Sequence, residues 1–177
     1  MGWFLGILVL VAIVVLVLKN KKSVQKDKLR QDNSKLTLSY QPVPALITPS
    51  EQQFLKALDG AVDDRFRVFT MVRVADVIKP TKSLNPSVKH KLFLKTSQKH
   101  FDFVICDATK LKPLCVIELN DKSHQKKKRK DRDDFLAEAC ASAGLPLKFV
   151  FASNSYDQSE LVNFIDASSK PFLKKAA

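Results

Sequence analysis

The sequence predicts an α/β fold: one domain with its elements in the order α-β-β-β-α-β-α, carried behind an apolar N-terminal transmembrane helix. Three observations predict it. Four runs read as strands, one by alternation (FRVFTMVRVADVI) and three by apolar character (FDFVICD, LCVIELN, LKFVFA). Segments of helical periodicity, with start and stop signals, stand before, between and after them. A hydrophobic content of 45% over 177 residues supplies one ordinary core, and not comfortably two.

The first element is Gly2–Leu18, GWFLGILVLVAIVVLVL, which carries no charge. As a helix it rises roughly 25 Å, just short of a bilayer's hydrocarbon core. A cleaved signal peptide starts with a charge and ends in small residues. This run starts uncharged and is followed by KNKK, so an uncleaved single-pass anchor is expected. Lys19, Lys21 and Lys22 lie just after it, and the positive-inside rule then keeps the remainder in the cytoplasm, at the inner face of the cell's inner membrane. Residues 19–41 are polar and basic, the pattern of a tether whose lysines also suit anionic lipid. Pro42 and Pro44 open a domain expected over residues 42–168, and residues 169–177 are expected to be a frayed tail.

TPSEQQFLKALDGAV is a helix with its start intact. Thr48 is the N-cap, Pro49 fits the first turn, and Glu51 falls where a capping box needs it. Phe54, Leu55, Leu58, Ala61 and Val62 form its apolar stripe. Phe66–Ile78 alternates as a long or bent strand. Lys79–Lys95 is basic and broken by prolines, a loop or lid with room for a short helical piece. FDFVICD and LCVIELN, joined by a turn, are the central strands. Ser123–Ala143 is a helix ended by Gly144 and Pro146. LKFVFA is the last strand, and Asp157–Ala167 a closing helix.

A net charge of +12 and a pI near 9.7 bias the partners toward polyanions, nucleic acid or anionic lipid. Cys106, Cys115 and Cys140 have no CxxC or Cys/His spacing, which argues against zinc and for small buried hydrophobes in a reducing compartment. The chain has no Gly-rich phosphate loop and no nucleophile elbow, which argues against P-loop and serine-hydrolase chemistry.

Asp102 and Glu118 sit inside strand-like runs. Alternation puts Asp102 with Val104 and Cys106, and Glu118 with Val116 and Asn120. If the strands are a hairpin, the two carboxylates come together and need a proton, a cationic partner or a metal. Mg²⁺ is the natural guest of such oxygens. The plainer reading is pairing with nearby lysines. The basic run Lys126, Lys127, Lys128, Arg129, Lys130 and Arg132 follows at once, and Lys99 and Lys122 add charge near the acids. Such a run is usually a solvated helix face, yet here it would hold a nucleic-acid backbone against the acids.

These residues carry a resemblance. The stretch ELNDKSH from Glu118 to His124, then Arg132, Phe135 and Leu136, then GLPLKF from Gly144, resembles the very-short-patch-repair-endonuclease-like branch of the PD-(D/E)XK, or restriction-endonuclease-like, superfamily. That branch reads E-x-D-G-x-x-H, then R-x-x-F-L, then a glycine before the last core strand. More narrowly, Pro44–Phe151 resembles a bacterial domain-of-unknown-function family of that superfamily, whose members read T-P-x-E, F-D-F-V-x-C-D and I-E-L-D-D-x-S-H. The resemblance implies an α-β-β-β-α-β core with a mixed four-stranded sheet flanked by helices. It implies Mg²⁺ or Mn²⁺ held by Asp102, Glu118 and Glu51, and catalysis by Asp102, Glu118, the residue at Asn120, and His124 as acid or base. Glu51 equally serves the capping box, and His124 equally a helix start. Asn120 departs from the pattern, standing where the superfamily has lysine and this branch aspartate; asparagine holds a water but adds no charge. Arg132 is expected to face a phosphate or an acid such as Glu51.

Three functions follow as expectations: a membrane-anchored, metal-dependent nuclease acting on DNA; a catalytically inactive nucleic-acid-binding descendant of that fold; or a membrane-anchored interaction protein.

Overall fold

The computed structural model describes residues 3, 13–22, 24–25, 39–120 and 127–173. The chain divides into two compact units, Met1–Pro44 and Ala45–Ala177. In the first, residues 13–22 are helical. Among the described residues no helix is long and apolar enough to cross a membrane. Most of the expected span 2–18 and most of the expected tether lie outside them.

The second unit is a mixed α/β domain. Its helices are α1 (Pro49–Ala61), α2 (Val74–Val77), α3 (Pro86–Thr96), α4 (Lys127–Ala143) and α5 (Gln158–Leu173). Its strands are β1 (Phe66–Arg73), β2 (His100–Asp107), β3 (Pro113–Asn120) and β4 (Leu147–Phe151). They form an open sheet in the order β1-β2-β3-β4, antiparallel across the first three and parallel between β3 and β4. A parallel pair needs a crossover, and α4 supplies it.

Each face of the sheet buries its own cluster. On one, Phe103, Ile105, Cys115 and Ile117 meet Phe54 and Leu58 of α1 and Leu161 and Ile165 of α5. Phe54 meets Phe103 edge-on at 5.1 Å and Tyr156 at 4.7 Å. On the other, Val104, Cys106 and Val116 meet Leu136 and Cys140 of α4. Full burial of each large side chain contributes about 1.5–3 kcal/mol, so the two faces carry most of the stability. All three cysteines are free and buried, and burial pushes the thiols up, Cys106 to about 11 and the other two to about 12.

Local chemistry sets the ends. Thr48 and Glu51 form the capping box: Thr48 N–H donates to Glu51 Oε2 at 2.6 Å, and Glu51 N–H to Thr48 Oγ1 at 3.3 Å. In the β2–β3 turn, the Asp107 carboxylate accepts the backbone N–H groups of Lys110, Lys112 and Thr109, which hold its pKa below the usual range. Gly144 ends α4 at φ 65°.

Three expectations are corrected. The strand expected over Phe66–Ile78 stops at Arg73. Met71 takes φ 54°, Val74 N–H donates to the Lys99 carbonyl at 2.9 Å, and Val74 and Ala75 are buried as a helical turn. The loop with room for a short helical piece, expected over Lys79–Lys95, gives way from Pro86 to an eleven-residue helix that ends at Thr96, capped by Asn85 Oδ1 accepting from Ser87 N–H at 2.9 Å with Pro86 in the first turn. The tail is not frayed where it is described: α5 continues through Pro171 to Leu173, and Ser168 and Ser169 are buried.

Candidate functional site

The site lies where β2 and β3 part. Their ladder runs to Phe103↔Ile117, and one pair further would set Asp102 opposite Glu118. There the side chains take over from the backbone. Asp102 N–H donates to Glu118 Oε1 at 3.2 Å, and Leu119 N–H donates to Asp102 Oδ2 at 2.8 Å. Each carboxylate satisfies a backbone donor of the opposite strand at the point where the ladder has ended.

Glu118 is 1% exposed. Its other oxygen, Oε2, accepts from Arg132 Nη2 on α4, and Arg132 is 36% exposed. Burial pushes the Glu118 carboxyl up to about 8, helped by the neighbouring Asp102 charge and opposed by Arg132. Burial also raises Asp102, opposed by the Leu119 hydrogen bond and Arg132, with Glu51 and Asp133 adding to the rise. One guanidinium, paired with Glu118, for a buried and a half-buried carboxylate leaves the pair holding a proton or open to a second cation.

The expected residues do not all converge. Asp102 and Glu118 are together, and Glu51 adds its charge from the start of α1 while engaged in the capping box. Arg132 pairs with Glu118, not Glu51. Asn120 Nδ2 donates to Asp133 Oδ2 at 3.4 Å, so its amide is turned toward α4. The Lys99 ammonium donates to the Lys95 carbonyl at 2.7 Å and lies 5.2 Å from the ring centre of Phe135 on α4. Lys130 is exposed on the first turn of α4. Lys122, His124 and Lys126 lie outside the described residues, as do the side chains of Lys127, Lys128 and Arg129. Asp133 was missed by sequence reasoning, because DRDD reads as a solvated run.

A metal is tested by the donors present. Among the described residues no three or more His, Cys, Asp or Glu side chains converge as a ligand set. Two carboxylates do converge, and hard oxygen donors suit Mg²⁺ or Mn²⁺. Glu118 Oε1 and Oε2 and Asp102 Oδ2 each keep a second lone pair beyond the hydrogen bond they accept. The pair therefore fits a divalent cation, with Arg132 competing for Glu118.

Residues 43–168 match the model of the family described as "Protein of unknown function (DUF2726)". No curated protein and no solved structure matches the chain.

Proposed function

The chain belongs to this family, and we propose that its domain is nuclease-like, taking a nucleic-acid backbone, DNA first, at Asp102 and Glu118 and hydrolysing phosphodiesters with Mg²⁺ or Mn²⁺. The observation that carries the reading is that the buried Glu118 and half-buried Asp102 carboxylates face each other where β2 and β3 part. Membership of the PD-(D/E)XK superfamily is part of the proposal. It is supported by acids on two adjacent antiparallel strands, a parallel β4 reached through a helix, and an acid at the start of α1. A cytoplasm-facing anchor at Gly2–Leu18 is proposed from sequence.

The residues would share the work as follows. Asp102 and Glu118 would hold the cation, which supplies a Lewis acid for the scissile phosphate. Arg132 is reachable from solvent, so on leaving Glu118 it can take phosphate oxygens through its planar fork. Asn120 can hold a water by hydrogen bonds but brings no charge. His124 would move a proton near neutral pH, as its ordinary pKa allows. The basic residues of early α4 would neutralise flanking phosphates.

The test is calorimetric titration of Mn²⁺ and Mg²⁺ into the full chain and its Asp102→Ala variant, followed by cleavage of plasmid DNA. Binding that the variant loses, together with metal-dependent cleavage, is expected. Absence of both would sink the enzymatic reading.

A second reading is favoured by the Arg132–Glu118 pair and the turned Asn120. An acid pair already served by an internal guanidinium suits a domain that binds nucleic acid without cutting it. Its mark would be salt-sensitive DNA binding, without cleavage, that ignores Glu118→Gln.

A further inference from the structure

From Val77 to Phe101 the chain has six lysines, two histidines and no acid. Helix α3 lies in the middle of this stretch. Its inward residues are Leu92, half-buried, and Thr96, buried, whose hydroxyl is used up on the carbonyls of Leu92 and Phe93. On the 3.6-residue repeat Leu94 lies opposite them, between His90 and Lys91, with Phe93 at the flank, and all four are exposed. Phe93 is 42% and Leu94 55% exposed. Large apolar side chains standing among cations at the surface are what an interfacial helix presents to a membrane.

We propose that the outer face of α3 docks on an anionic bilayer surface, with Phe93 and Leu94 entering the headgroup layer and Lys91 meeting lipid phosphates. Charge complementarity supports the occupant: no carboxylate within the stretch opposes it. Of the acids nearby, Asp76 is paired with Arg73 at 2.7 Å, and Glu138 lines the cavity of about 420 Å³ between α3 and α4. A nucleic-acid duplex would use the lysines but leave Phe93 and Leu94 in water, whereas a bilayer uses both. Each basic side chain brought to an anionic surface strengthens binding about fivefold. The face is argued from its own residues, and the N-terminal anchor would only raise the local lipid concentration.

Hydrogen exchange of the full chain tests the proposal, in vesicles of phosphatidylcholine alone and with phosphatidylglycerol added. Exchange in α3 is expected to slow by about tenfold or more with phosphatidylglycerol only. Phe93→Glu with Leu94→Glu should abolish the slowing, as should His90→Glu with Lys91→Glu. These positions are exposed, and unchanged exchange elsewhere checks that each variant is folded. Equal exchange in both lipids, slowing that survives both variants, or slowing by duplex DNA and not by lipid would each overturn the proposal. Flotation with phosphatidylcholine vesicles scores the anchor separately, so the two cannot be confused.

Discussion

Glu118 places a carboxylate where a central strand would ordinarily carry valine or isoleucine, and its surroundings decide what that costs. It is buried, while its partner Arg132 reaches water. Removing the arginine therefore strands a buried charge, whereas neutralising the glutamate leaves a guanidinium that can turn outward. Arg132→Met is expected to cost about 2–3 kcal/mol, below the cost of breaking a fully buried pair because Arg132 is partly solvated. Glu118→Gln is expected to cost within about 1 kcal/mol, since the amide oxygen still accepts from Asp102 N–H. Denaturant midpoints of the two variants check the order, and the reverse order would mean that the carboxylate does not need its partner.

The same residue sets a pH dependence. Its carboxyl ordinarily titrates at 4.5 and is raised to about 8 in the fold. Between those values the native state holds more protons than the unfolded chain, so stability falls as pH rises through the window. Asp102 is raised too and pushes the same way. Wild type should lose stability relative to Glu118→Gln between about pH 5 and about pH 8. Parallel unfolding curves for the two proteins across that range would contradict the assignment.

At the scale of elements, the ends of the helices are testable one residue at a time. Thr48→Ala removes the side-chain half of the capping box of α1 and is expected to cost about 1 kcal/mol. Glu51→Gln keeps an oxygen for the Thr48 N–H and should change stability by only a few tenths of a kcal/mol. That contrast separates two roles of Glu51: a change in Mn²⁺ affinity without a change in stability would assign its charge to the site. Gly144→Ala should cost about 1–2 kcal/mol in thermal unfolding from the φ of 65° alone, because a β-carbon there would meet nothing within 4 Å.

The elements misread from sequence have specific causes. Val72, Val74 and Ile78 fit strand alternation, but Val74, Val77 and Ile78 equally fit one helical turn. The Val74 N–H makes the last bond of the ladder with the Lys99 carbonyl, and the Ile78 N–H, donating to the Val74 carbonyl at 3.0 Å, closes the helical turn. For α3 the start signal was present in the Asn85–Pro86 pair. Its exposed Phe93 and Leu94 hid the helix's full length, because they spoil the one-sided stripe by which helices are recognised.

At the scale of the whole molecule, the net charge of +12 predicts how a nucleic acid would bind. If early α4 neutralises phosphates, replacing Lys127, Lys128, Arg129 and Lys130 with alanine should weaken DNA binding uniformly across sequences. The slope of log affinity against log salt should flatten by about 0.9 for each phosphate that is no longer neutralised. Filter or fluorescence binding over a salt series measures this, and an unchanged slope would move the interface off α4.

The sequence by itself determined the order of the main elements, the capping box, the glycine stop of α4, the buried cysteines and the strands that carry Asp102 and Glu118. Each of these depends on interactions within a few residues or on a local period, which a linear chain displays directly. Only the tertiary structure decided that the carboxylates close the end of each other's ladder, that Arg132 is the cation on Glu118, and that Asn120 turns toward Asp133. Those partners are brought together by strand register and by the seating of α4 across the sheet. Register depends on packing over both faces at once, and no local pattern in the chain encodes which charge will meet which.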